Sequence, residues 1–419
     1  MTSRDAASRL SPRDALLAAL IAVSFVALLL AQSWGRIGTD ISALYLGGWL
    51  AAAGQAELLY AATPSFLGEP VAPGWVAASE AAGFERAVVA YVYPPIWAAL
   101  VAPLTAVLGP AGFANLFSAA GLSAYALSGV AVWRLCRPSM GLPAFLGVAF
   151  GLSLFSLAFL FAWALVQPQL IVIALILWSA ERLARGRQRA AGLLLGLAAA
   201  IKVMPILLIV LFVAERQWRA ALWAVGTSGL IAAISVFVVG WPAHAAFLEA
   251  GALLNGATLL YGGNLTFGVL AHALFYPGAI ESFPPNNTFV PTRLWLDLLA
   301  KVVMAGAAMA TLLGTRHLGA QRIPARLLLL LVSFTFFAPL AWSHYYAPVL
   351  LLTLGFWGTL PARMVALTVS AALAMMFAPL GNWLAQLPGD LPVMQIYMAL
   401  MLALCMTTFW LGLRGRIGA

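Results

Sequence analysis

The sequence predicts an all-α integral membrane protein with about twelve transmembrane helices. Of its 419 residues, 63% are hydrophobic and only 8% are charged, whereas charged residues make up about a quarter of an ordinary soluble domain. Apolar runs of roughly 17 to 25 residues recur along the chain, which is the length of a membrane-spanning helix. The strands of a membrane barrel would be shorter and would alternate apolar with polar residues. We therefore expect one helical membrane domain over residues 1–419.

The net charge is +9, and the positions of the arginines indicate the membrane topology. The arginines stand in short clusters between apolar runs instead of following one face together with aromatic residues, so they indicate cytoplasmic loops and no nucleic-acid partner. The two cysteines, Cys136 and Cys405, have no spacing typical of a disulfide framework or a metal site.

The first apolar segment, from about Leu16 to Leu30, follows Arg4, Arg9 and Arg13. A secretory signal and a first anchor helix both begin in this way. We expect the anchor, because the run is long for a signal and no small-residue cleavage pattern closes it.

Arginine clusters then fix the expected topology, with both termini in the cytoplasm. The cytoplasmic clusters are 4–13, 134–137, 182–189, 216–219, 316–326, 363 and 414–416. The expected crossings are 14–34, 112–133, 141–161, 166–181, 190–203, 204–214, 220–240, 293–313, 325–341, 345–360, 362–380 and 393–413. A first outer loop (35–111) carries amphipathic surface helices, among them 94–108, and a long outer loop covers 241–292.

This topology places several polar residues at the outer face. They come from six separate segments and are Asp40, Tyr93 in "VYPPI", Gln167 and Gln169 in "VQPQL", Lys202 in "IKVMP", Asn264 in "GGNLTFG" and His344 in "WSHYYAP". Polar groups near a membrane are costly unless they serve a cavity or one another, so their convergence indicates an outward-facing site.

Each of these residues also has a structural interpretation, which the sequence leaves open. Asp40 suits the cap of a helix as well as a general base, and Lys202 suits snorkelling to the interface as well as an anionic ligand. His344 fits an interfacial aromatic belt. Tyr93 precedes two prolines that make a rigid helix entry, and Asn264 begins a glycosylation acceptor pattern.

The order of these segments resembles glycosyltransferase family 87 of the GT-C superfamily, over about residues 36–350. The resemblance is carried by "LYAATPSF", "YVYPPIWAALVAPL", "QPQLIVIALIL", "RGRQRAAGLLLGLAAAIKVMPILLIVLFVAERQWRA", "GGNLTFGVL" and "WSHYYAPVLLL". It implies a GT-C type fold and a polyprenyl-phosphate sugar, notably polyprenyl-phosphate-mannose, as donor.

The resemblance also implies roles for single residues. Asp40 takes the place of the general base, Lys202 is the lysine of the family's K-x-x-P pattern, and His344 is its late histidine. Asn264 belongs to a G-N-x-S/T pattern made here by Gly263, Asn264 and Thr266.

One segment departs from the family pattern. Where the family has G-Q-x-N, this chain has Val166, Gln167, Pro168 and Gln169. Gln167 and Tyr93 complete the predicted substrate-binding set of Lys202, His344 and Asn264.

These inferences predict a metal-independent hexosyltransferase of the bacterial plasma membrane without a cofactor. It would move a hexosyl group, mannosyl in particular, from a polyprenyl-phosphate sugar to a hydroxyl of a glycolipid or glycan, in contact with membrane lipids. A base and phosphate-binding groups suffice for this chemistry, and no acidic D-x-D pair is evident. The alternatives are a secondary transporter, for which no internal repeat is found, and a polyprenyl-linked glycan ligase or flippase.

Overall fold

Helices dominate the computed structural model, which describes residues 10–67, 70–85, 88–260, 264–275, 288–378, 380 and 393–415. In the first half of the chain they are α1 (Pro12–Ser33), α2 (Thr39–Ala52), α3 (Pro73–Ala81), α4 (Ile96–Val107), α5 (Pro110–Cys136), α6 (Leu142–Ser153), α7 (Leu157–Ala164), α8 (Gln169–Ala184) and α9 (Gln188–Ile201). In the second half they are α10 (Ile209–Ala214), α11 (Trp218–Val239), α12 (Trp241–Asn255), α13 (Phe267–Phe275), α14 (Leu294–Gly314), α15 (Arg322–Phe336), α16 (Ala347–Gly355), α17 (Ala362–Met375) and α18 (Val393–Gly415). Arg4, Arg9 and residue 416 of the predicted cytoplasmic clusters lie outside the described residues.

Five of these helices are long and apolar enough to cross a membrane, which confirms a helical membrane protein. They are α1, α5, α11, α14 and α18. Shorter apolar helices, such as α4, α6, α9 and α17, stand between them. The count of twelve crossings stays a prediction.

One predicted crossing, 141–161, is divided into α6 and α7. The backbone between these helices pairs with the end of α17, because Ser156 forms an antiparallel bridge to Phe377 and the Leu157 N–H donates to the Met376 carbonyl at 2.6 Å. Apolar composition is continuous across the break, so hydropathy does not reveal it.

The long outer loop contains more structure than the sequence predicts. Besides α12 and α13 it holds a two-stranded antiparallel sheet of β1 (Ala257–Leu260) and β2 (Thr288–Pro291). In the described residues the fold is therefore all-α apart from this small sheet. Residues 261–263 and 276–287 of the loop lie outside them.

The first outer loop carries helices as predicted, and the first of them, α2, is packed inside the protein. Nine of its fourteen residues are buried, because α4 packs along one side and the ring of Tyr91 along another. Gly47 makes this possible, since a Cβ there would stand 2.6 Å from the Tyr91 ring. Together with α3 and α4, α2 forms a second apolar core beside the main one.

The helical pair α8 and α9 forms the support of the site described below. A short turn at 185–187, in which Gly186 adopts φ +69°, reverses the chain so that the two helices run antiparallel. The start of α8 and the end of α9 thereby come together, while the arginines of the turn lie at the opposite end. The sixteen residues of α8 separate these ends by about 24 Å.

Candidate active site

Lys202 is the centre of a polar cluster at the end of α9. The helix stops at Ile201, and Lys202 has extended backbone angles ahead of Pro205, as the predicted interruption of the helix requires. Its ammonium donates to Gln167 Oε1 and to the Tyr345 hydroxyl, both at 3.3 Å. The same ammonium stands 4.4 Å from the centre of the Tyr345 ring, in a cation–π contact.

Gln167 reaches Lys202 because of a tight turn after α7. The Gln167 N–H donates to the Ala162 carbonyl and the Val166 N–H to the Trp163 carbonyl, which is the bond pattern of a Schellman motif. Val166 takes the left-handed position with φ +51°, where glycine is usual and a β-branched residue is strained. The turn buries Gln167 to 6% exposure and aims its amide at Lys202.

Asp40 lies in the first turn of α2, half-buried near Lys202. The N-cap of α2 is Gly38, so Asp40 does not cap the helix, although it still benefits from the positive end of the dipole. A Cβ on Gly38 would collide with the backbone of Leu165, and this close approach seats the start of α2 against the turn that carries Gln167. The glycine thus helps to place the carboxylate at the site.

The environment of Asp40 favours a base that titrates near neutral pH. Burial raises the pKa of its carboxyl to about 6, and the positive charge of Lys202 partly offsets that rise. The Asp40 charge also acts on the hydroxyls of Tyr93 and Tyr345. A carboxylate with such a pKa is suited to general-base catalysis.

Tyr93 stands on the Asp40 side of the cluster and is almost fully buried. Its backbone carbonyl accepts a hydrogen bond of 2.6 Å from the Tyr60 hydroxyl, and its ring centre is 5.6 Å from that of Tyr91. The first outer loop therefore fixes Tyr93 through aromatic packing.

His344 lies in a 3₁₀ turn, Ser343–Tyr346, that also presents Tyr345. The imidazole is 1% exposed, stands 4.9 Å from the Tyr345 ring centre, and has no hydrogen-bond partner for Nε2. A buried polar atom without a partner is costly, and a hydrogen-bonding group bound beside this nitrogen would remove that cost.

Asn264 is not brought into this cluster by its side chain. Its amide nitrogen donates to the Leu259 carbonyl at 2.8 Å, and its amide oxygen accepts from the Ala341 N–H at 3.0 Å. Asn264 and Trp342 also form a backbone bridge. Asn264 therefore holds the strand before His344 in place, and its pattern partner Gly263 lies outside the described residues.

Tyr345 belongs to the site but was not in the predicted set, and Gln169, also outside that set, is buried nearby in the sequence. Tyr345 contacts both Lys202 and His344, although the only sequence signal is its place in the aromatic run "WSHYYAP". Gln169, named in the sequence as one of the outer polar residues, is 7% exposed and its Oε1 is buried without a partner. It begins α8 two residues after Gln167.

The structure therefore assembles Asp40, Tyr93, Gln167, Lys202 and His344 from five separated segments. In the described part of the chain, no three His, Cys, Asp or Glu side chains are grouped so that they can hold a metal ion. A half-buried ammonium with neutral partners, a carboxylate of raised pKa and an unpartnered imidazole can together bind an anion and accept a proton.

Comparison with known sequences gives the family. The model of glycosyltransferase family 87 matches residues 91–343, more than half of the chain, and this range includes Tyr93, Gln167, Lys202 and Asn264. Asp40 and His344 lie outside the matched range. No curated protein matches the chain. The protein is a membrane-embedded member of glycosyltransferase family 87.

Proposed function

We propose that the protein transfers a hexosyl group, mannosyl in particular, from a polyprenyl-phosphate sugar to a hydroxyl of a glycolipid or glycan acceptor. In this proposal Asp40 is the general base and Lys202, His344, Gln167 and Tyr93 contact the substrates. The reaction takes place without a metal ion at the outer face of the bacterial plasma membrane, in a GT-C type fold with about twelve crossings.

The observation that carries the proposal is the pairing of Lys202 with neutral groups. None of the ion pairs among the described residues includes Lys202, and its hydrogen bonds go to an amide oxygen and a hydroxyl. Desolvating an ammonium without a bonded anion is costly. A bound phosphate would supply that anion. The match to a glycosyltransferase family supports a sugar as the group that is transferred.

The residues account for each part of the transfer. The Asp40 carboxylate takes the proton of the acceptor hydroxyl, whose oxygen forms a bond to C1 of the sugar. The bond between C1 and the phosphate oxygen breaks, and its electron pair leaves with the polyprenyl phosphate. Lys202 and the unpartnered nitrogen of His344 stabilise that negative charge.

The surface beside Lys202 suits the lipid portion of such a donor. The Trp97 indole N–H donates to the Ala200 carbonyl at 2.9 Å and so joins α4 to the end of α9. Leu100 on α4 and Val203 after Lys202 expose 57% and 55% of their surface. Apolar side chains that flank a phosphate site offer a path for a polyprenyl tail to enter from lipid.

The decisive assay uses purified protein in detergent with a panel of radiolabelled polyprenyl-phosphate sugars, a chelator and a membrane glycolipid extract as acceptor. We expect labelled product without an ion gradient, with mannose the preferred sugar. In a second arm with the protein reconstituted into vesicles, labelled sugar that crosses the membrane without transfer would favour the transporter. Transfer that needs added divalent metal would contradict the metal-free mechanism.

The outward orientation has its own test in two alanine-to-cysteine variants at exposed positions. Ala53→Cys, at the end of α2, should react with an impermeant maleimide on intact cells, whereas Ala184→Cys, at the opposite end of α8, should react only after permeabilisation. Cys136 and Cys405 are buried, so the parent protein is the unlabelled control. The reverse pattern would place the site in the cytoplasm.

A further inference from the structure

Three arginines converge on one buried carboxylate at the end of the α8–α9 pair that is remote from Lys202. Glu181 contacts Arg134 Nε at 2.9 Å, Arg182 Nε at 3.1 Å and Arg185 Nε at 2.6 Å. The Glu181 side chain is 1% exposed, while the arginine side chains are 33%, 19% and 36% exposed. We call these four residues the Glu181 cluster.

Positive charge is in surplus in the Glu181 cluster. One carboxylate faces three guanidinium groups, and each arginine makes its closest contact through Nε, the inner nitrogen of the group. The pKa of Arg185 is lowered, mainly by burial, and further by the charges of Arg134, Arg182 and the nearby Arg137, against the attraction of Glu181. The cluster is therefore short of negative charge.

A second buried carboxylate with arginine partners, Glu215, shows what a saturated arrangement looks like. Arg322 binds it through Nε and Nη2, and Arg326 binds it through Nη1. Arg326 also donates to Thr315 through Nε and to the Leu312 carbonyl through Nη2. There, both outer nitrogens of Arg326 and Nη2 of Arg322 are used by the protein itself, in contrast to the Nε contacts of the Glu181 cluster.

We propose that the Glu181 cluster binds the phosphate of an anionic phospholipid. Guanidinium groups match phosphate oxygens in shape and charge. Arg134 lies in the last turn of α5, a helix long enough to cross the membrane, and the ring of Trp178 stands 5.6 Å from Arg134 and 5.0 Å from Arg182. Arginines around a tryptophan at the end of a membrane helix lie at the level of lipid headgroups.

The test measures the affinity of the purified protein in neutral detergent for short-chain phosphatidylglycerol, with phosphatidylcholine of the same chain length and inorganic phosphate as separate arms. We expect phosphatidylglycerol to bind and the other two to bind at least tenfold more weakly. Arg185→Gln should weaken phosphatidylglycerol binding by about tenfold or more, the scale of one hydrogen bond to a charged group.

Arg219→Gln is the matched control, because it removes one exposed arginine outside the cluster. It should leave the affinity within about twofold of the parent. Arg134→Gln tests the cluster from α5 if Arg185→Gln is not monodisperse. Unchanged affinity in both cluster variants, an equal loss in Arg219→Gln, or equal binding of phosphatidylcholine or inorganic phosphate would overturn the proposal.

Discussion

The Lys202 site and the Glu215 ion pairs handle buried charge in opposite ways. At Glu215 two arginines and a carboxylate close on one another at 2.6 Å, and Arg326 has protein partners for its remaining nitrogens. At Lys202 the ammonium has neutral partners, and the charge of Asp40 acts on it without an ion pair. A saturated buried pair is costly to break, because removing one partner leaves the other charge buried and unpaired. An incompletely paired charge is available to a ligand.

The largest effect that this comparison predicts is the loss of transfer rate in the Asp40→Asn variant. The substitution keeps the shape of the side chain and removes its basicity, and no cap is lost because Gly38 is the N-cap. We expect the initial rate at saturating donor to fall by about 10² to 10⁴-fold.

Asp297→Asn is the matched control for Asp40→Asn, since Asp297 also lies in the first turn of a helix. It should keep nearly the parent rate. A loss of less than about tenfold in monodisperse Asp40→Asn would show that Asp40 is not the base.

Glu215→Gln should act on stability and leave catalysis intact. It leaves Arg326, whose side chain is 6% exposed, buried without an anion, and breaking a buried pair in this way costs about 3 to 5 kcal/mol. Thermal unfolding in detergent should show the loss, while the rate per folded molecule stays at the parent value. Glu57→Gln, at an exposed carboxylate, should change neither. A Glu215→Gln variant that is stable but inactive would show that the Glu215 ion pairs serve catalysis and not stability.

The sequence predicts that the polar residues of the predicted site converge, but it does not reveal the local structure that brings them together. Arginine counting places Gln167 and Lys202 on one side of the membrane, and the α8–α9 pair joins them through the bond of Lys202 to Gln167. The sequence does not indicate the Schellman turn that ends at Gln167. Val166 stands where such turns usually have a glycine, and an apolar residue there is typical of a continuing apolar helix. The predicted helix accordingly begins at 166, whereas α8 begins at Gln169.

Long-range pairing explains the other differences between sequence and structure. The β1–β2 sheet pairs Ala257 with Pro291, and no local sequence pattern links positions so far apart. Asn264 belongs to the predicted substrate-binding set, but its side-chain amide is hydrogen-bonded to the backbone at Leu259 and Ala341. Tyr345 is one aromatic residue among several at an interface, so only its contacts identify it.

Lys202→Met separates phosphate binding from snorkelling. The variant keeps an apolar stem and removes the charge, so donor binding should weaken by roughly 1.5 to 3 kcal/mol if the ammonium meets phosphate. Equilibrium binding of labelled donor measures this loss of affinity. The only other lysine of the sequence, Lys301, is 61% exposed, and Lys301→Met should bind donor like the parent. Equal affinity in Lys202→Met and the parent would remove Lys202 from the site.

The pH dependence of kcat/KM reports the charge of Asp40 in the free enzyme. Since burial raises the pKa of Asp40 to about 6 and the base must be deprotonated, the rate should fall about tenfold for each pH unit below that value. An aspartate with the ordinary pKa of 3.8 would leave the rate flat down to about pH 4. Lys202→Met should move the inflection to higher pH, because the lysine charge holds the pKa of Asp40 down. A flat profile between pH 5 and 7 would contradict the assignment.

Tyr345→Phe should have the smallest effect, because it removes only the hydroxyl that accepts a hydrogen bond from Lys202. The variant loses the hydrogen bond of 3.3 Å to Lys202 but keeps the ring 4.4 Å from the ammonium, so KM for the donor should rise only about two- to tenfold while kcat changes little. Tyr345→Leu removes the cation–π contact as well and should raise KM further. The neighbouring Tyr346 is a suitable control, because its hydroxyl donates to the Leu265 carbonyl and Tyr346→Phe should lower the unfolding temperature without changing KM. If the two phenylalanine variants have the same KM, Tyr345 supports the turn in the way that Tyr346 does, and it does not position the lysine.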